Sequence, residues 1–180
     1  MSLNPGLAWL AAIVLLGGCA SLRAPTDIIA GESLSGRLTV RVDATPSTDA
    51  RNVTATFELQ GNADQGRLDL STPLGTTLAR ARWAPGRVAL VTPQGETRFA
   101  DLDELTHEVL GESVPVAALF DWLSGRPWPG ADSAPTTPPA EPGFVQLGWV
   151  VSLARFGEGW VAARREQVPV VTVRAKLDRP

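Results

Sequence analysis

LSGRLTVRV at residues 34–42 and VTATFEL at residues 53–59 decide the fold. In the first, Leu34, Leu38, Val40 and Val42 share one side of an extended chain, and Ser35, Arg37, Thr39 and Arg41 share the other. In the second, Val53, Ala55, Phe57 and Leu59 alternate with Thr54, Thr56 and Glu58. Alternation with period two marks a strand that buries one face and wets the other. Working outward, RLDLS at 67–71 turns Leu68 and Leu70 inward. Ala79, Ala81 and Trp83 then alternate with Arg80 and Arg82, and RVALVT at 87–92 supplies a further strand. Turns at Pro73–Gly75 and Ala84–Gly86 separate these runs. Parallel neighbours need crossovers of a dozen or more residues, so connections this short predict an antiparallel meander.

The period changes at Asp101. Leu102, Leu105, Val109 and Leu110 fall on one helical face, Asp101 and Glu104 have capping-box spacing, and Gly111 stops the helix. A second helix is predicted from Ser113 to Ser124. It tolerates Pro115 in its first turn, aligns Val116, Leu119, Phe120 and Leu123, and ends at Gly125. Residues 127–142 hold six prolines and predict an irregular surface loop. Strand character resumes at Phe144, with Val145, Leu147, Trp149, Val151 and Leu153 on one parity. The sequence GEG at 157–159 suggests a turn, and Val171, Val173, Ala175 and Leu177 close the sheet. The expected class is mainly β (α+β), with two helices over one face of a sheet.

The N-terminus carries a different signal. Leu16, Gly17, Gly18 and Cys19 end an apolar run from Leu7, and Cys19 is the single cysteine of the chain. Ten apolar residues are too few to cross a bilayer core of about 30 Å as a helix. A short apolar segment ending in small residues reads instead as a cleaved secretory signal. LGGC is a lipobox, so residues 1–18 are expected to be removed and Cys19 lipidated, with 19–33 as anchor and linker and 34–180 as one domain. An ordinary secretory signal that happens to contain Cys19 is the alternative. By resemblance to bacterial lipoproteins, Ala20 in place of Asp favours the outer membrane.

Composition excludes several classes. The net charge is −3 with no basic block, so nucleic-acid binding is unsupported. A lone cysteine permits no internal disulfide. No GxxxxGK[ST] segment exists, which excludes a P-loop ATPase. His107 is the only histidine, leaving one possible base for a triad and no histidine cluster for a metal. Asp101, Asp103 and Glu104 are explained by the helix start they occupy. Arg164 and Arg165 are expected to be solvated. Neither an enzyme nor a bound cofactor or metal is expected.

These pieces together resemble the LolB family of outer-membrane lipoproteins. The resemblance rests on the lipobox, LSGRLTVRV, the turn TPLGTT at 72–77, FDWLSGRPWPG at 120–130 and VQLGWVVSL at 145–153, in that order. The proline-rich segment and a C-terminus ending at Pro180 depart from the family, and they leave the last edge strand in question. The resemblance implies an unclosed antiparallel β-barrel with helices over an apolar cavity. It also implies a receptor that takes acylated lipoproteins from the periplasmic carrier LolA and delivers them, as a monomer, to outer-membrane lipid. Val40, Phe57, Leu70, Trp83, Leu90 and Trp149 are then candidates to line the cavity, although periodicity by itself favours a filled core. The resemblance makes Leu74 an exposed membrane-delivery residue, with Pro73 and Gly75 shaping its turn; packing of Leu74 onto the sheet edge is the alternative. An anchored β-domain that binds another envelope protein and carries no lipid is the competing function.

Overall fold

The structure, a computed structural model, describes residues 31–178. The signal segment, Cys19 and most of the linker lie outside the described residues. The domain is one antiparallel sheet of eleven strands with two helices. Strands β1 (Glu32–Val42), β2 (Arg51–Gly61), β3 (Gly66–Ser71), β4 (Thr77–Ala84), β5 (Arg87–Thr92) and β6 (Gly95–Phe99) form the first meander. Helices α1 (Leu102–Leu110) and α2 (Val116–Leu123) follow. The second meander comprises β7 (Ser133–Pro135), β8 (Gly143–Gln146), β9 (Trp149–Ser152), β10 (Trp160–Arg165) and β11 (Val171–Leu177). The spatial order β6-β5-β4-β3-β2-β1-β11-β10-β9-β8-β7 joins the meanders through β1 and β11. Since β6 and β7 are the two edges and do not pair, the barrel is unclosed.

Register makes the inner face continuous. Val40 opposes Val53 on one side and Val173 on the other, Phe57 opposes Leu70, and Ala81 opposes Leu90. Because side chains alternate, strands β1–β5 and β8–β11 then turn their apolar parity toward the helices. Asp101 caps α1 by accepting from the Glu104 N–H at 2.8 Å, and the Glu104 carboxylate accepts from the Ala100 N–H. Gly111 ends the helix in the left-handed region. Helix α2 is mostly buried; Phe120 meets Trp83 edge-on and Trp122 packs against Phe144 and Trp149. Two polar side chains are buried here, Thr106 of α1 and Gln146 of β8. Gln146 accepts from Trp122 Nε1 (2.7 Å) and the Trp128 N–H (2.9 Å), and donates to the carbonyls of Trp128 and Ala131 (2.7 Å each). Four bonds satisfy a buried amide fully.

The structure corrects the sequence reading in several places. The run from Val145 to Leu153 is two strands, not one. Leu147 and Gly148 both take positive φ (54° and 77°) and make a tight hairpin turn, so Val145 and Leu147 leave the parity of Trp149 and Val151. Strand β7 lies inside the segment expected to be irregular; its Pro135 is tolerated because β7 is an edge. Strand β6 has no counterpart in the sequence reading, since GETRF is exposed on both faces except at Phe99. Helix α1 buries Thr106 and exposes Val109. Strand β11 sits at the sheet's centre, not at its edge, and β1 begins at Glu32, two residues into the expected linker.

Candidate functional site

The candidate site is the concave face where the helices leave it open. Val40, Phe57, Trp83 and Trp149 are buried in the cluster that fills the space between sheet and helices. Leu70 and Leu90 share that face but are only half-buried. Ala79, which opposes Leu70, and Leu68, which opposes Ala81, are half-buried too. The six proposed lining residues thus divide into a sealed floor of four and a partly covered apolar strip containing Leu70 and Leu90.

Strand β3 carries that strip directly into the turn with Leu74. The Gly75 N–H donates to Thr72 O at 2.9 Å and the Thr72 N–H to Thr76 O at 2.8 Å, while Thr72 Oγ1 accepts from the Thr76 N–H. Proline suits the second position of such a turn, and Gly75 supplies the φ of 85° that follows it. The result holds Leu74 at 95% exposure. It does not fold back onto the sheet edge.

Ion pairs fasten the helices to the sheet around this opening. Arg165 Nη2 donates to Glu112 Oε2 at 2.5 Å, joining β10 to the α1–α2 connection, and its guanidinium lies 5.7 Å from the Trp149 ring centre. At the far end of α2, Arg126 bonds both Asp121 and Glu32 of β1. The Arg126 bond, assisted by the Ser124 hydroxyl, holds the Glu32 carboxyl below its usual range. Arg51 Nη1 donates to the Val109 carbonyl at the end of α1. Arg165 was expected in solvent, yet it shares the inward parity of Val161 and Ala163 and its side chain is 15% exposed. That parity was readable in the sequence. Arg164, on the other face, is exposed and paired with Glu166.

His107 is exposed on α1, and Asp101, Asp103 and Glu104 occupy its start. Among the described residues, no group of three or more His, Cys, Asp or Glu side chains is placed to hold a metal ion.

The family described as outer membrane lipoprotein LolB matches residues 33–174, which reach into every strand and contain both helices. The chain belongs to the LolB family. An outer-membrane lipoprotein LolB from Bordetella petrii is 35% identical over 96% of this chain and 92% of its own length. One from Cupriavidus pinatubonensis is 37% identical over 84% of this chain and 76% of its own. One from Thiobacillus denitrificans is 30% identical over 84% and 80%. As a LolB-family member the chain is an outer-membrane lipoprotein. The partly covered strip and the Leu74 turn both fall inside the matched residues.

Proposed function

We propose that this protein receives acylated lipoproteins from a LolA-type periplasmic carrier, shelters their acyl chains against the concave face, and releases them into the outer membrane. Cys19 is the anchor. The observation that carries this reading is the half-buried apolar strip with Leu70, Ala79 and Leu90, which runs to an exposed leucine at its mouth. A soluble domain gains nothing for folding by leaving such a surface open. An acyl chain gains about 0.8 kcal/mol for each CH₂ it buries. For several chains of ordinary length the sum is tens of kcal/mol, so free passage through water is closed and a sheltering surface is required.

The hand-off runs downhill in affinity. The sequence carries no nucleotide-binding loop to supply energy and no residue is assigned a catalytic role. The strip is therefore a transient shelter: partial coverage binds an acyl chain less tightly than a bilayer does. Leu74, flanked by Pro73 and Gly75, is the delivery residue and enters the interfacial region of the membrane.

Leu74→Glu separates the two steps. Reception is expected to be unchanged, while insertion of cargo into phospholipid vesicles falls at least tenfold. The melting temperature is expected to stay within a degree or two, since an exposed turn substitution shifts stability by about 0.5 kcal/mol at most. Normal insertion by this variant would remove Leu74 from the mechanism.

A further inference from the structure

Register fixes which turns share an end of the sheet. Val42, the last residue of β1, opposes Arg51 and Val171, so the β1–β2 and β10–β11 connections lie at one end. Antiparallel order brings the β3–β4 turn to the same end. Val150, at the start of β9, opposes Arg164, near the finish of β10, which places the β8–β9 turn there as well. The opposite end holds the Asn62–Gln65 turn and the Arg155–Gly159 segment.

Exposed apolar bulk follows this division. Among the described residues the large apolar side chains that stand exposed are Leu74, Leu78, Val109, Val145, Leu147, Val150 and Val168. Leu74, Leu147 and Val168 occupy three different turns at the first end. Leu78, Val145 and Val150 lie within two residues of those turns, and the Val109 carbonyl is bound by Arg51, the first residue of β2. Among the described residues, none of these lies at the opposite end. Two of these choices work against folding. Leu147 holds φ 54° in a hairpin position where Asn, Asp or Gly is at ease. Val168 is 74% exposed between polar neighbours Glu166 and Gln167 and the ring of Pro169.

We infer that this end is an apolar rim that enters the surface of a phospholipid bilayer at three points, Leu74, Leu147 and Val168. The inference rests on the delivery role given to Leu74 and extends it to two turns with no assigned role. Three tips on separate turns suit a broad apolar phase better than a single peptide. Several charges near them are paired, in Arg41–Asp43, Arg164–Glu166 and Arg165–Glu112. The tether reaches. Strand β1 starts at the opposite end, and its eleven residues span about 37 Å, whereas the stretch from Cys19 to Glu32 extends to about 45 Å at most. A domain anchored at Cys19 can therefore turn this rim toward the bilayer that holds the anchor.

The test uses the full lipidated chain in phosphatidylethanolamine–phosphatidylglycerol vesicles. A bimane fluorophore is attached to Leu74→Cys, Leu147→Cys, Val168→Cys or, as a reference at the opposite end, Asp64→Cys, and quenching by brominated lipid is measured. Labels at 74, 147 and 168 are expected to be quenched at least threefold more than the label at 64. Quenching at 74 alone would overturn the rim and leave the Leu74 delivery role standing. Quenching at none of the sites would overturn both, and equal quenching at all four would overturn the rim by giving the domain no preferred end. Val168 is the deciding position, because it is largely exposed and lies on a turn far in the chain from Leu74.

Discussion

Phe57 and Leu70 oppose each other across β2 and β3 on the concave face, yet one is sealed and the other half-buried. Truncating each to alanine therefore gives different costs. Phe57 is 1% exposed, and removal of a packed phenylalanine costs about 3–5 kcal/mol through lost transfer energy plus the hole left behind. Full burial of a leucine side chain is worth about 1.5–3 kcal/mol. Leu70 is only partly buried, so Leu70→Ala costs less, about 1 kcal/mol. Urea denaturation followed by circular dichroism resolves these values. At a slope of about 2 kcal/mol per molar urea, Phe57→Ala lowers the midpoint by about 2 M and Leu70→Ala by about 0.5 M. The functional order is reversed: replacing Leu70 by Asn is expected to spare the fold and reduce reception of acylated cargo several-fold. Equal costs for the two alanine variants would refute the division into sealed floor and open strip. A cost near 1 kcal/mol for Phe57→Ala would show empty space around that ring.

Gln146→Leu keeps the volume of the side chain but strands Trp122 Nε1 in the core. With the partly exposed Trp128 and Ala131 groups open to rehydration, the expected loss is about 3 kcal/mol, read from the same denaturation curve. Glu32 yields a pH dependence of definite sign. Its carboxyl is held below the usual glutamate range, chiefly by Arg126, so the stabilisation is complete above the unfolded value and disappears as pH falls through the folded one. The advantage of wild type over Glu32→Gln is expected to be constant above about pH 5 and to vanish in stronger acid. It stays below about 1 kcal/mol because both partners are substantially exposed; an advantage that grows on acidification would contradict the pairing.

Much of this architecture was legible because period two survives wherever a strand has one wet face. The strands from Leu34 to Thr92, the cap at Asp101 and the stop at Gly111 were all readable on that basis. Failures came where the cue was absent. Strand β6 has no buried alternation to display, and the Leu147–Gly148 turn lacks the Asn-Gly or Asp-Gly signature that announces a hairpin. Arg165 was hidden by its charge, although its parity with Val161 and Ala163 pointed inward. For the candidate site, the sequence marked Leu74 and the inward residues. Which inward residues remain uncovered depends on where α1 and α2 dock, and that is set by contacts such as Trp122–Trp149 and Arg165–Glu112 between segments far apart in the chain.

The central claim is that acyl chains rest on the open part of the concave face. A photo-crosslinking amino acid at Leu90, and separately at its neighbour Ala89 on the opposite face, reads this directly when the full lipidated chain is mixed, without nucleotide, with a LolA-type carrier loaded with acylated lipoprotein. The account predicts crosslinks to the cargo's acyl chains from position 90 and none from position 89. Equal crosslinking from both positions, or no transfer of cargo to the folded protein, would contradict it.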